Sequence, residues 1–188
     1  GHGYNVAVGT YALTVQNAGA NTYNVAVGYD AGGSVSTGSS NTLIGGQAGN
    51  SLTAGGNSVA IGTQALQTED DHSYNVAVGA RALQTLNAGA HGYNTAVGYV
   101  AALTTGGNNT AIGKNALSSE NAHSYNVAVG TNALNTLNAG ADGYNVAVGY
   151  DAGGLMSTGV RNTIVGGLAG DALTTGSDNV AVGNQALG

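Results

Sequence analysis

Short apolar alternations recur along the whole chain. Val6-Ala7-Val8, Val25-Ala26-Val27 and Thr42-Leu43-Ile44 are the first of eleven such triplets, each closed by glycine and opened by asparagine or, once, by Ser58. Val or Thr takes the first place and Val or Ile the third; the middle is Ala except at Leu43 and Ile164. Period-two alternation over a β-branched run predicts a strand of about four residues, with larger side chains on one face and a small one on the other. Beyond each closing glycine the chain turns a corner, and an Ala always stands three residues after it, as at Ala12, Ala31 and Ala48. Several units then carry an apolar residue (Val35, Leu52, Leu103, Met156, Leu173) and a second glycine (Gly38, Gly55, Gly106, Gly159, Gly176). One unit therefore reads strand, corner, second short strand, corner.

The closing glycines, such as Gly28, Gly45, Gly62 and Gly79, are most often 17 residues apart (45 − 28). So short a unit cannot bury its own apolar face, but stacked on its neighbours it can. The fold class expected is all-β: a parallel β-solenoid, or β-roll, of eleven coils of about 17 residues, forming a rod roughly 50 Å long at the ~4.8 Å strand spacing. Residues 1–188 read as a single repeat domain, a fragment of a longer fibre, with long repeats at 4–73, 74–124 and 125–188. Tyr4–Gln67 aligns without a gap on Tyr125–Gly188. Longer intervals carry Asn-Ala-Gly-Ala (Asn17–Ala20, Asn87–Ala90, Asn138–Ala141), expected in outward loops. Val and Ile are expected to close each coil from inside, leaving the Ala column free to pack against partner chains. A helical solenoid does not fit, because two stable helices need more residues than one unit offers.

Stacking would align the motif asparagines into a structural ladder: Asn5, Asn24, Asn41, Asn75, Asn94, Asn109, Asn126, Asn145, Asn162 and Asn179, with Ser58 filling the one remaining place. Aligned amides can bond to the coils above and below.

Composition narrows the function classes. The chain has 34 Gly but no Pro, Cys, Trp or Phe, and no Gly-X-Y register, which excludes collagen and a disulfide framework. Lys114, Arg81 and Arg161 are its only permanent cations against nine acidic residues, so no nucleic-acid partner is expected. No apolar run approaches the roughly 20 residues of a membrane span, and no membrane contact is expected of this segment. Each coil carries only a few modest apolar residues, so burial at ~25 cal/mol/Å² leaves a lone rod marginal, and self-association is the expected remedy.

Candidate chemistry is sparse. His2, His72, His91 and His123 each stand two residues before a motif tyrosine, a position a stack could repeat, but a solvated corner explains them. Glu69-Asp70-Asp71-His72 is the densest charged run and lacks the spacing of a calcium or zinc site. Tyr4/Tyr23, Tyr74/Tyr93 and Tyr125/Tyr144 are expected to stack on adjacent coils. Tyr29, Tyr99 and Tyr150 follow motif glycines and, if they point outward, could stack on the sugar rings of a glycan. The pairs Gly45-Gly46 and Gly166-Gly167 read as corners. Outward threonine ranks of the kind an ice-binding face uses are irregular, since Thr fills the motif at only Thr42, Thr95, Thr110 and Thr163. No nucleophile elbow, phosphate loop or paired-acid motif stands out, so no catalytic residue, metal, cofactor or enzymatic activity is expected.

Asn57-Ser58-Val59-Ala60-Ile61-Gly62-Thr63-Gln64-Ala65 resembles the N-S-V-A-I-G-x-x-A/S repeat in head domains of trimeric autotransporter adhesins (YadA-like heads). The likeness extends to all eleven copies, although the unit here is longer. Related N-T-A-V-G repeats resemble those of bacteriophage tail-fibre shafts. The resemblance implies a left-handed β-roll assembled as a homotrimer on the bacterial cell surface, with attachment or spacing as its role. The partners expected are copies of the chain itself and, for adhesion, a host or matrix glycan or protein. The alternatives are a virion tail fibre of the same architecture, or an extracellular filament polymerising end to end through uncapped coils.

Overall fold

The computed structural model describes residues 3–17, 19–68, 71, 73–85, 92–102, 106–119 and 123–188. Eleven strands of three residues follow one another: β1 (Val6–Val8), β2 (Val25–Val27), β3 (Thr42–Ile44), β4 (Val59–Ile61), β5 (Val76–Val78) and β6 (Thr95–Val97). They continue as β7 (Thr110–Ile112), β8 (Val127–Val129), β9 (Val146–Val148), β10 (Thr163–Val165) and β11 (Val180–Val182). All eleven form one parallel sheet in sequence order. Register is identical at each step: Ala26 pairs with Leu43, Leu43 with Ala60, and Ala60 with Ala77. The chain is thus a β-solenoid of stacked coils, with no helix among the described residues.

Among the described residues each coil has one strand rather than two. The segment expected as a second strand is a run of tight turns, because its backbone repeatedly enters the left-handed region. In the coil of β3, Gly45 C=O accepts from Ala48 N–H and Gly49 C=O from Leu52 N–H, both at 3.2 Å. Gln47 (φ 59) takes the positive φ at the third position of the first turn, as a type II turn requires. Leu13, Leu66, Leu83, Leu117 and Leu134 take positive φ two residues further on in their coils. A left-handed non-glycine residue costs roughly 1–2 kcal/mol. The cost is offset by stacking, since the turns bond from coil to coil as the strands do: Gly32 N–H to Ala48 O and Gly49 N–H to Ala65 O, both 2.9 Å.

The closing glycines hold the corner after the strand. Gly45 has φ +131, and a Cβ there would lie 2.6 Å from the carbonyl of Gly62 in the next coil. Only glycine meets both demands.

The faces of the strand are the reverse of the expectation. Ala26, Leu43, Ala60, Ala77, Ala96, Ala111, Ala128, Ala147 and Ile164 are fully buried, whereas Ile44, Ile61, Ile112 and Val148 are exposed. The reason is the thinness of the coil. Across from each strand stand the turn alanines (Ala31, Ala48, Ala65, Ala82) and the turn leucines (Leu66, Leu83, Leu117, Leu134), all fully buried. Where a leucine fills the turn, the inward strand position has room for little more than a methyl group; Leu43 and Ile164 occupy it where the turn carries Gly49 and Gly170. Val35, Leu52 and Met156 complete the core; Leu173 packs against it partly buried, and Leu103 lies outside the described residues.

Candidate functional site

The asparagine column forms a continuous chain of hydrogen bonds. Asn24 N–H donates to Asn5 Oδ1 at 2.7 Å, Asn41 N–H to Asn24 Oδ1 at 2.9 Å, and Ser58 N–H to Asn41 Oδ1 at 3.0 Å. Ser58 keeps the series going, its Oγ accepting from Asn75 N–H at 3.2 Å. Beyond it Asn75, Asn94, Asn109, Asn126, Asn145 and Asn162 each accept from the backbone N–H of the next member, ending at Asn179. Several amide nitrogens tie the strand to the corner opposite: Asn24 Nδ2 donates to Gly38 O at 2.8 Å and Asn41 Nδ2 to Gly55 O at 2.9 Å. Asn24 through Asn162 are buried, so these groups serve the fold and face no ligand.

Chemistry available to a partner therefore lies on the outside, in columns running along the rod. The first pair of columns is the outer strand face. It consists of Val and Thr at the first strand position and Val and Ile at the third, without a charged or amide side chain in any strand.

A second column precedes the motif asparagines. Tyr4/Tyr23, Tyr74/Tyr93 and Tyr125/Tyr144 stack face to face here at 5.0–5.2 Å between centroids, with interplanar angles of 1–3°. The repeat of parallel strands sets that spacing directly. In the same column Arg161 bonds to Asp178 on the next coil through both carboxylate oxygens, at 2.6 and 2.8 Å. That contact raises the Arg161 pKa. The Asp178 carboxyl falls below its ordinary value, chiefly through the hydrogen bond from Arg161.

A third column follows the closing glycines: Thr10, Tyr29, Gly46, Thr63, Ala80, Tyr99, Lys114, Thr131, Tyr150, Gly167 and Asn184. Tyr29, Tyr99 and Tyr150 are 57%, 50% and 58% exposed. They do not form one site, since Tyr99 lies four coils beyond Tyr29 and Tyr150 three beyond Tyr99. Their neighbours also differ. Gln47 N–H bonds to Tyr29 O at 2.8 Å, Leu168 N–H to Tyr150 O at 2.8 Å and Asn115 N–H to Tyr99 O at 3.0 Å, so Tyr29 and Tyr150 adjoin Gly46 and Gly167 whereas Tyr99 adjoins Lys114. These two glycines, read from the sequence as corner residues, are the part of the column that sequence reasoning missed.

The remaining candidates are dispersed. Of the four histidines only His123 lies within the described residues, and its carbonyl accepts from Asn109 Nδ2 at 2.8 Å. Of Glu69-Asp70-Asp71-His72 only Asp71 does, and it accepts from Thr53 Oγ1 at 2.7 Å. Among the described residues no three His, Cys, Asp or Glu side chains converge as a metal site would require. The loop residues Asn17, Gly19 and Ala20 are exposed, as are Asn138, Gly140 and Ala141, while Asn87–Ala90 lie outside the described residues. No family model, curated protein or solved structure matches the chain.

Proposed function

We propose that the chain is a structural segment of an extracellular fibre, assembled from copies of itself, with attachment or spacing as its role. The observation that supports this reading is the outer strand face. Two columns of Val, Ile and Thr run its length, and Ile44, Ile61 and Ile112 remain 37–40% exposed. The coil interior is already filled by its own Ala and Leu, so these columns have no partner within the chain. Covering them would contribute at ~25 cal/mol/Å².

The dimensions of the strip bound what it can bury alone. Eleven strands at ~4.8 Å and three residues at ~3.3 Å make it about 50 Å by 10 Å, or roughly 500 Å². A stable pairwise interface takes about 800 Å² from each partner. The strip alone falls short, so each contact must also take in the flanking columns. A homotrimer is the assembly we propose, on the resemblance of residues 57–65 to trimeric adhesin heads.

Light scattering on the purified chain tests this. The mass expected is three times the 18.1-kDa chain, and Ile61→Glu with Ile112→Glu should reduce it to one chain while the β-rich circular dichroism persists. A wild-type monomer at concentrations well above micromolar would refute the proposal.

A further inference from the structure

We propose that Tyr29–Gly46–Thr63 and Tyr150–Gly167–Asn184 are two copies of a binding step for one pyranose unit of a neutral polysaccharide. The inference goes beyond the assembly reading and does not rest on it.

Each step occupies three successive coils of one outward column. An exposed tyrosine forms one wall, a glycine the floor, and a side chain that can hydrogen-bond the other wall. Register is fixed by the backbone: Gln47 N–H bonds to Tyr29 O and Gln64 N–H to Gly46 O, at 2.8 and 2.9 Å. Leu168 N–H to Tyr150 O and Gln185 N–H to Gly167 O repeat the arrangement at 2.8 and 3.0 Å. At Gly46 the floor is open, since a Cβ there would meet no atom within 4 Å; at Gly167 the Asn184 side chain leans over the floor, its Oδ1 3.3 Å from where a Cβ would stand, and must swing aside to admit a ring. On its other side the Tyr29 ring is backed by Tyr11, edge-on at 5.9 Å. Between Tyr29 and Thr63 the column carries only Gly46, which leaves a gap of two coil spacings, about 10 Å.

That gap matches one class of ligand. A pyranose ring is a slab with an apolar C–H face and a rim of hydroxyls. The C–H face suits the tyrosine, and the hydroxyls suit Thr63 or Asn184. Asp30 and Asp151 immediately follow the two tyrosines and turn toward Gly33 and Gly154 of their own turns, Asp30 also accepting from Asn50 Nδ2 at 2.8 Å. With these carboxylates at hand and a net charge of −6, acidic sugars are repelled. Tyr99 lacks the gap, because exposed Lys114 stands where the other two steps have glycine. Seven strand spacings, about 34 Å, separate the two steps, so a long glycan can occupy both and gain by avidity what each shallow step lacks.

Affinity electrophoresis of the folded chain through gels containing hydroxyethyl cellulose, laminarin or galactomannan tests the proposal, with heparin as the acidic comparison. Retardation is expected in at least one neutral gel and not with heparin. The double variant Tyr29→Ala/Tyr150→Ala should weaken it at least tenfold, whereas Tyr29→Phe/Tyr150→Phe and Tyr99→Ala should retain it. Gly46→Thr/Gly167→Thr should abolish it with both tyrosines in place. Threonine already occupies this column at Thr63 and Thr131, so the fold tolerates it. Migration unchanged in all three neutral gels, or full retardation of the Gly→Thr double variant, overturns the proposal. Light scattering on the same samples separates loss of binding from any change in assembly.

Discussion

The Leu43 side chain fills the space that a side chain on Gly49 would need, its Cδ2 lying 2.6 Å from where the Gly49 Cβ would stand. Most coils put the bulk in the turn: Leu66 accompanies Ala60, Leu83 accompanies Ala77, and Leu117 accompanies Ala111. In the coil of β3 the bulk is on the strand and the turn gives way. Ile164 and Gly170 repeat the exchange in β10, the Ile164 Cδ1 lying 3.1 Å from the virtual Cβ. Leu43→Ala should therefore cost about 2–5 kcal/mol, through lost burial and a cavity. Gly49→Leu should cost about 1–3 kcal/mol by overpacking. The double variant should recover more than half of the loss, because leucine sits at this turn position with φ 48–54 in other coils. Urea midpoints of the four proteins check this; strict additivity of the two losses would contradict the exchange.

Two adjacent glycines should respond oppositely to alanine. Gly45→Ala meets both the positive φ and the carbonyl of Gly62, and should destabilise by more than about 2 kcal/mol. Gly46 has neither constraint, so Gly46→Ala should be neutral or stabilise by up to about 1 kcal/mol through a less flexible unfolded chain. Thermal melts of the two variants decide the matter, and equal losses would mean that the corner is not built as described.

Parallel stacking and register were legible because one glycine recurring at every unit, most often 17 residues apart, leaves a single way to align the coils. Which face of the strand turns inward was not. Alternation of Val-Ala-Val is symmetric in information, and assigning the larger residues to the interior presumed a wide coil. The informative signal lay in the exceptions. Leu43 and Ile164 occur where the turn carries Gly49 and Gly170, and such an exchange of volume makes sense only if the middle residue points inward. The turn segment was misread because residues such as Gln47, Leu66 and Arg81 adopt left-handed backbone that their side chains do not advertise. The asparagine ladder and the tyrosine columns were legible from spacing alone. The open floor beside Tyr29 was not, because an absent side chain at Gly46 gains meaning only beside its neighbours on adjacent coils.

Within the ladder, the acceptor matters more than the full amide. Asn41→Ala removes the acceptor for Ser58 N–H and the donor to Gly55 O, leaving buried groups unpaired at about 1–3 kcal/mol each. Asn41→Ser should cost clearly less, since Ser58 already shows a hydroxyl carrying the ladder to Asn75 N–H. Hydrogen exchange should show the difference locally, with the Ser58 amide losing protection in the alanine variant and largely keeping it in the serine one. Equal loss in both would mean that the acceptor is not what holds the coils together.

The Arg161–Asp178 pair should give stability a pH dependence in the acid range only. The hydrogen bond from Arg161 lowers the Asp178 pKa below its ordinary 3.8, so the folded chain holds that proton less tightly than the unfolded one. The stabilisation is therefore complete above the unfolded value and is lost as pH falls through the lowered folded value. The raised pKa of Arg161 has no consequence below the alkaline range, because arginine stays charged in both states. Asp178→Asn isolates the charge, since asparagine occupies the same column at Asn57 and Asn108 with φ 56 and 60. Both partners are exposed, so the effect should be small and screened by salt. The variant should melt slightly below the parent near pH 7 at low salt, and the gap should narrow as pH falls below the ordinary carboxyl value of 3.8 and in about 1 M salt. A gap that persists at acid pH would assign the contribution of Asp178 to its shape and hydrogen bonding rather than to its charge.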